Sequence, residues 1–106
     1  MGSKGIDAER ERKERLEKLG FFVGRSPGSL DCWDIFAVKN GQTRLEQVKK
    51  TREKTFYFSK ESKEQLAALK LIQAKYGIEC YFAIKFVHRG WMCIKVDDLT
   101  AEPIKF

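Results

Sequence analysis

The pair Asn40-Gly41 is the feature of this sequence that most restricts how the chain can fold. It separates two runs with strand character, residues 33–38 and 43–51. A two-residue type I′ turn needs positive φ at both central positions, and Asn followed by Gly meets that need at low cost. The sequence therefore predicts a tight β-hairpin whose strands lie on either side of this pair.

The turn also fixes which residues of the two strands face each other. Asp34 is predicted to lie opposite Gln47, with Cβ atoms about 5 Å apart. Lys49 points to the same face of the hairpin and lies diagonally from Asp34. Glu46 pairs with Ile35 and points to the other face, so it can replace Gln47 only if a bulge shifts the register.

A carboxylate, an amide oxygen and an ammonium group thus meet on one face of the predicted hairpin. Mg²⁺ prefers hard oxygen ligands and keeps several waters, so a few side chains together with phosphate oxygens suffice to bind it. Such an ion lowers the pKa of a bound water, and Lys49 could orient that water or stabilise the negative charge that develops on the phosphate. The alternative is an ordinary Asp–Lys pair on an exposed sheet face, and this short spacing alone does not decide between the two.

The other elements follow from apolar periodicity and from glycine stops. Residues 6–19 predict a helix ended by Gly20, whose buried face is predicted to carry Leu16 and Leu19. Glu9 shares that face, and a position at its solvated rim is the alternative. The remaining predicted elements are a strand at 21–23, a helix at 60–76 capped by Ser59 or Ser62 with an apolar stripe that ends at Tyr76, and strands at 79–87 and 91–96.

The predicted order is therefore α-β-β-β-α-β-β. A strand, a helix and a strand in succession across residues 43–87 indicate a parallel crossover, whereas the hairpins are antiparallel. The fold class is accordingly α/β, with a mixed β-sheet flanked by helices. A length of 106 residues suits one domain, residues 1–106, in which we expect the tail 97–106 to be only partly ordered.

The charge of the chain favours a polyanionic partner. The formal net charge is +6 and the pI is about 9.3. Residues 49–63 hold six basic side chains against two acidic ones, and Lys50, Arg52 and Lys54 are the predicted DNA contacts among them; a merely solvated surface is the alternative. The three cysteines form no CxxC pair, which argues against a zinc site or a disulfide framework. We see no membrane span or signal peptide, so we expect a cytoplasmic protein without a membrane partner.

Several segments together resemble one known family. "KGIDAERE" near the start, "RSPGS" at 25–29, "DIFAVKNG" and "EQVKKT" in the hairpin, and "GWMCIKV" at 90–96 are similar to the archaeal-type Holliday junction resolvases. These are nucleases of the PD-(D/E)xK superfamily, which has the restriction-endonuclease-like fold. The resemblance covers nearly the whole chain up to about residue 96.

The resemblance implies a magnesium-dependent endonuclease, with Mn²⁺ as a possible substitute, that cuts four-way DNA junctions as a homodimer. By position, Glu9, Asp34 and Gln47 would hold the metal, and Lys49 would be the catalytic lysine. Arg10 and Arg25 match basic residues used on DNA, and Ser29 lies in the loop expected near the junction. Gln47 departs from the family pattern, which has an acidic residue there.

Two other functions fit the same residues. The chain could bind junctions with a weakened or disabled metal site, because Gln47 is neutral. It could also be a restriction or repair endonuclease that cuts ordinary duplex DNA. Cleavage of matched four-way, flap and linear DNAs in the presence of magnesium distinguishes all three.

Overall fold

The computed structural model describes residues 3–26 and 32–106, with side chains described from residue 7 onward. Two helices and seven strands are present in this part of the chain. In chain order the elements are α1 (Ser3–Lys18), β1 (Phe22–Arg25), β2 (Ile35–Lys39), β3 (Gln42–Thr51), β4 (Thr55–Phe56), α2 (Lys60–Tyr76), β5 (Glu79–Phe86), β6 (Gly90–Lys95), a 3₁₀ turn (Val96–Asp98) and β7 (Ile104–Lys105).

The main sheet has five strands in the order β1-β2-β3-β5-β6. Strand β5 is parallel to β3, and the other neighbouring pairs are antiparallel, so the predicted mixed sheet and its crossover through α2 are confirmed. The predicted hairpin register is confirmed from Lys39 opposite Gln42 to Ile35 opposite Glu46, which is the last pair of the ladder. Asp34, predicted to lie opposite Gln47, stands beyond that pair, and its N–H donates to Glu46 O instead. Asn40 and Gly41 have φ of 54° and 77°, as a type I′ turn requires.

Helix α1 packs on one face of the sheet through a short apolar stripe. Ala8 and Leu16 are buried there against Ile35, Ala37 and Val48. The prediction that Leu19 belongs to the buried face is wrong, because Leu19 is 61% exposed. The helix ends at Lys18, so the residue after it no longer follows the helical periodicity toward the sheet.

Helix α2 packs on the opposite face. Its first turn is capped by Ser59, whose Oγ accepts a hydrogen bond from Ser62 N at 3.1 Å, which selects Ser59 from the two predicted caps. Leu66 and Leu69 are buried against strand residues that include Phe82 and Phe86. Tyr76 was predicted to continue this stripe, but it is 63% exposed, because it lies in the last turn, beyond the edge of the core.

The chain after β6 folds back onto the domain. The 3₁₀ turn buries Val96, and β7 pairs with the two-residue strand β4 in a second, small sheet. The sequence predicted neither β4 nor β7, since strands of two residues carry almost no periodic signal. Neither helix in the described part of the chain is long and apolar enough to span a membrane.

Candidate active site

Asp34 lies in a bend immediately before β2, one residue beyond the last pair of the hairpin ladder. Its backbone N–H donates to Glu46 O at 2.8 Å, and its side-chain Oδ2 accepts from Val48 N at 2.8 Å. The carboxylate is therefore held against the backbone of β3, beside Gln47. The Asn40-Gly41 turn sets the register of β2 and β3 as far as Ile35 and Glu46, and Asp34 is then held by its own hydrogen bonds to Glu46 O and Val48 N.

Glu9 of α1 brings a second carboxylate close to Asp34. The pKa of Asp34 is raised to about 6, mainly by burial and also by the neighbouring Glu9 charge, against the opposing effects of Val48 N–H and of Lys49. Glu9 itself is partly compensated, since Arg25 Nη2 lies 3.2 Å from its Oε1. The two carboxylates are adjacent, and the charged form of Asp34 is disfavoured. A bound cation would stabilise the negative charge of both.

Gln47 is only 3% exposed, and its amide is already engaged on one side. Its Nε2 donates to the backbone carbonyl of Cys32 at 2.5 Å, an orientation assigned from this hydrogen bond. The amide oxygen is consequently the atom of Gln47 that a hard cation could use. A carboxylate in the same position could not donate to Cys32 O, so the local backbone suits glutamine better than glutamate.

Lys49 lies on the same face of β3 as Gln47, two residues further along the strand. Burial lowers the pKa of Lys49, while the charges of Glu61 and Asp34 act to raise it. Glu61 belongs to the first turn of α2 and is a residue outside the site predicted from the sequence. Glu61 could have been linked to Lys49 because α2 covers the face of β3 that bears Lys49.

Glu46 lies on the other face of β3, as the register predicted. Its side chain is fully buried, with Oε1 2.7 Å from Arg12 Nε and Oε2 3.0 Å from Arg44 Nη2. Glu46 pairs with Ile35 on one side and with Tyr81 on the other, and its carbonyl also accepts from Asp34 N. This irregularity at Asp34 leaves the Glu46 side chain on its predicted face, with Arg12 and Arg44. Glu46 therefore links α1 to β3 through its ion pairs with Arg12 and Arg44.

The donor set suits a magnesium-like cation but is short of charge. Glu9, Asp34 and Gln47 offer oxygen atoms, which are the ligands Mg²⁺ prefers. No cluster of three or more His, Cys, Asp or Glu side chains able to hold a metal occurs within residues 7–26 and 32–106. A metal at this position would thus depend on two carboxylates, an amide oxygen, water and the substrate's own phosphate.

The residues predicted to bind DNA fall into three groups. Arg10 lies 3.9 Å from Asp7, and Arg25 is paired with Glu9, so both already have acidic partners. Ser29 lies outside the described residues. Lys50, Arg52 and Lys54 form no ion pair with any residue that the structure describes, and Arg52 and Lys54 are exposed. Lys50 alternates with Lys49 along β3 and points to the opposite face.

The chain is similar to known proteins of one family. A family model described as "Archaeal holliday junction resolvase (hjc)" matches residues 1–105. A Methanocaldococcus jannaschii protein named "Crossover junction endodeoxyribonuclease Hjc" is 40% identical over 83 residues, or 78% of this chain. That alignment spans 59% of the relative's own length. The structure of Archaeoglobus fulgidus Hjc, described as a Holliday junction resolvase from a hyperthermophile, superimposes with a TM-score of 0.77 and 30% identity, covering 97% of this chain and 84% of that one.

Proposed function

Because the chain belongs to the archaeal Holliday junction resolvase family, we propose that it is a metal-dependent endonuclease that cuts four-way DNA junctions as a homodimer. The observation that carries the proposal is the meeting of Glu9, Asp34, Gln47 and Lys49 at one end of the β2–β3 hairpin. The net charge of +6 supports a nucleic-acid substrate.

In this proposal Glu9, Asp34 and Gln47 hold Mg²⁺, with Mn²⁺ as a substitute. The bound ion supplies a water of lowered pKa and offsets negative charge on the scissile phosphate. Asp34 is held by Val48 N–H, which fixes the direction in which its other oxygen points. Lys49 donates to the attacking water or to a phosphate oxygen, where its ammonium stabilises the developing charge.

DNA binding in this proposal depends on the basic residues around the site. Lys50 follows Lys49 in β3, Arg52 and Lys54 come after the end of that strand, and Arg10 and Arg25 belong to α1 and β1. Ser29 is proposed as a further DNA contact. Neutralising about six phosphates would give log K against log salt a slope near −5. A junction affinity that does not change with salt would contradict the assignment of this surface.

A homodimer supplies the two cleavage sites that a four-way junction requires, and a two-fold interface relates them by symmetry. Leu71 and Tyr76 are large, exposed apolar residues of α2 and support that helix as a contact surface. Sedimentation that detects only a 12.3 kDa species at micromolar concentration, with and without junction DNA, would contradict the dimer.

A junction-binding protein with little cleavage activity is the second candidate. The hydrogen bond from Gln47 Nε2 to Cys32 O favours it, since the site is built around a neutral amide. Cleavage of matched four-way, flap and linear DNAs with magnesium tests both functions. Preferential cutting of the four-way DNA supports the resolvase, binding without cutting supports the second candidate, and equal cutting of linear duplex contradicts both.

A further inference from the structure

The backbone of residues 50–54, which we call the basic segment, is held by parts of the chain that are distant in sequence. Val87 N donates to Thr51 O at 2.9 Å, and Arg89 Nη1 lies 3.3 Å from Arg52 O. At the other end of the segment, Phe106 N donates to Lys54 O at 2.9 Å. The β5–β6 turn and the C-terminal residue therefore fix this segment from two sides.

Two cationic side chains of the basic segment, those of Arg52 and Lys54, extend into solvent, in contrast to the fixed backbone. Arg52 and Lys54 are exposed, and neither lies within ion-pair distance of an acidic group in the described part of the chain. A backbone that is already fixed reduces the conformational entropy lost when these side chains bind phosphates, because only the side chains remain to be immobilised.

Phe106 is the residue through which the C-terminus reaches the basic segment. Its ring centroid lies 5.1 Å from that of the buried Phe86. A Cβ atom built on Gly90 would lie 3.2 Å from the Phe106 ring, so the glycine lets the ring approach the β5–β6 turn closely. Strand β7 continues this contact, since Ile104 and Lys105 pair with Phe56 and Thr55 directly after the basic segment.

We propose that Phe106 is a positioning residue for DNA binding, whose packing on Phe86 and Gly90 holds the basic segment in the conformation that meets phosphates beside the cleavage site. This inference rests on the proposed function. The ring does not touch DNA itself, and it acts through the backbone of Lys54. Loss of the ring should release the C-terminus and with it one support of the segment.

The test compares Phe106→Ala with Phe106→Tyr and with Phe22→Ala, which removes an exposed phenylalanine from edge strand β1. We expect Phe106→Ala to weaken four-way junction binding by about three- to tenfold and to flatten the salt slope by about one unit. Phe106→Tyr should retain wild-type affinity and slope, because it keeps the ring. Phe22→Ala should bind like the wild type.

Three further readings separate positioning from general damage. The single-turnover cleavage rate at saturating protein, the sedimentation behaviour and the melting temperature of Phe106→Ala should each match those of Phe22→Ala. An affinity within twofold of wild type, a weakened affinity that Phe106→Tyr shares, or loss of the dimer would each overturn the inference.

The same titrations separate this inference from the proposed function. Wild-type protein that does not prefer four-way junctions over linear duplex would contradict the function and the inference together. Wild-type protein that binds junctions, and is weakened by Arg52→Ala with Lys54→Ala but not by Phe106→Ala, would overturn the positioning role alone.

Discussion

Two carboxylates on opposite faces of the same hairpin have opposite surroundings. Glu46 is fully buried and neutralised by Arg12 and Arg44, and the ion pair with Glu46 raises the pKa of Arg12 although burial acts to lower it. Asp34 lies beside Glu9 instead, and its pKa is raised to about 6, mainly by burial. The buried Glu46 carboxylate stabilises the fold and is paired with two arginines. The Asp34 carboxylate has no comparable ion pair, which is expected of a residue that binds a cation.

The largest effect we predict is on cleavage. Asp34→Asn should abolish cleavage of four-way DNA while it leaves junction affinity within a few-fold, because binding depends on basic side chains and Asp34 serves the metal. Parallel cleavage and gel-shift titrations with wild-type protein check this. Undiminished cleavage by the variant would remove Asp34 from the mechanism.

On the other face of the hairpin, Glu46→Gln should act on stability and hardly on chemistry. The change leaves Arg12 and Arg44 without their buried counter-charge, at a cost of about 3 kcal/mol or more in the free energy of unfolding. Urea denaturation measures that loss. Cleavage per folded molecule, assayed well below the melting temperature, should stay near wild type; its disappearance would mean that Glu46, through a shifted register, is the true ligand.

A third change adds a negative charge on the Asp34 side of the hairpin. Gln47→Glu adds a carboxylate beside Asp34 and should lower the magnesium concentration for half-maximal cleavage by roughly three- to tenfold, since added ligand charge strengthens cation binding. A magnesium titration of the cleavage rate measures this. An inert wild type restored by Gln47→Glu would identify a disabled nuclease, and an unchanged magnesium dependence would exclude residue 47 as a ligand.

Gln47→Glu should also slightly lower the stability of the metal-free protein against unfolding. Glutamate cannot donate to Cys32 O, so the hydrogen bond of Gln47 Nε2 is lost, at about 1 kcal/mol. Thermal melting in a chelator and in magnesium would show whether added metal reverses that loss.

The smallest effect concerns the pH dependence of stability. The pKa of Asp34 is raised in the folded protein from 3.8 to about 6, so the folded state binds more protons across this interval. The contribution of Asp34 to stability is therefore present at low pH and is lost as the pH rises through about 6. Asp34→Asn, which stays neutral, should melt a few degrees above wild type at pH 7 without metal, where 1 kcal/mol corresponds to about 4–8 °C.

Melting curves at pH 4 and pH 7 test this prediction. The difference between Asp34→Asn and wild type should shrink at pH 4, where the wild-type carboxyl is largely protonated when folded, and again in magnesium at pH 7. A difference that does not change with pH would show that the charge of Asp34 is not its cause.

Much of the site followed from local sequence. The Asn40-Gly41 turn fixed the hairpin register, and strand alternation then placed Gln47 and Lys49 on one face of β3 and Glu46 on the other. Asp34 follows directly beyond the last pair of the ladder and bonds to Val48 N. The helix bounds of α2 were also predictable, since Ser59 and Gly77 meet the local needs of its two ends. These features depend on neighbours along the chain or across one tight turn.

Other features were decided by tertiary packing. The partners of Glu46, the approach of Glu9 to Asp34 and that of Glu61 to Lys49 all depend on how a helix docks on the sheet. The exposure of Leu19 and Tyr76, at the ends of helices, depends on where the core stops.

What the sequence determined by itself is the hairpin and the set of side chains on each of its faces, because φ preferences and the two-residue period of a strand are local properties. Only the tertiary structure decided which carboxylate receives counter-charges, and that the C-terminal residue Phe106 binds the backbone of Lys54. Those contacts join residues far apart in sequence, and their strength depends on burial, which exists only once the helices and the sheet have packed together.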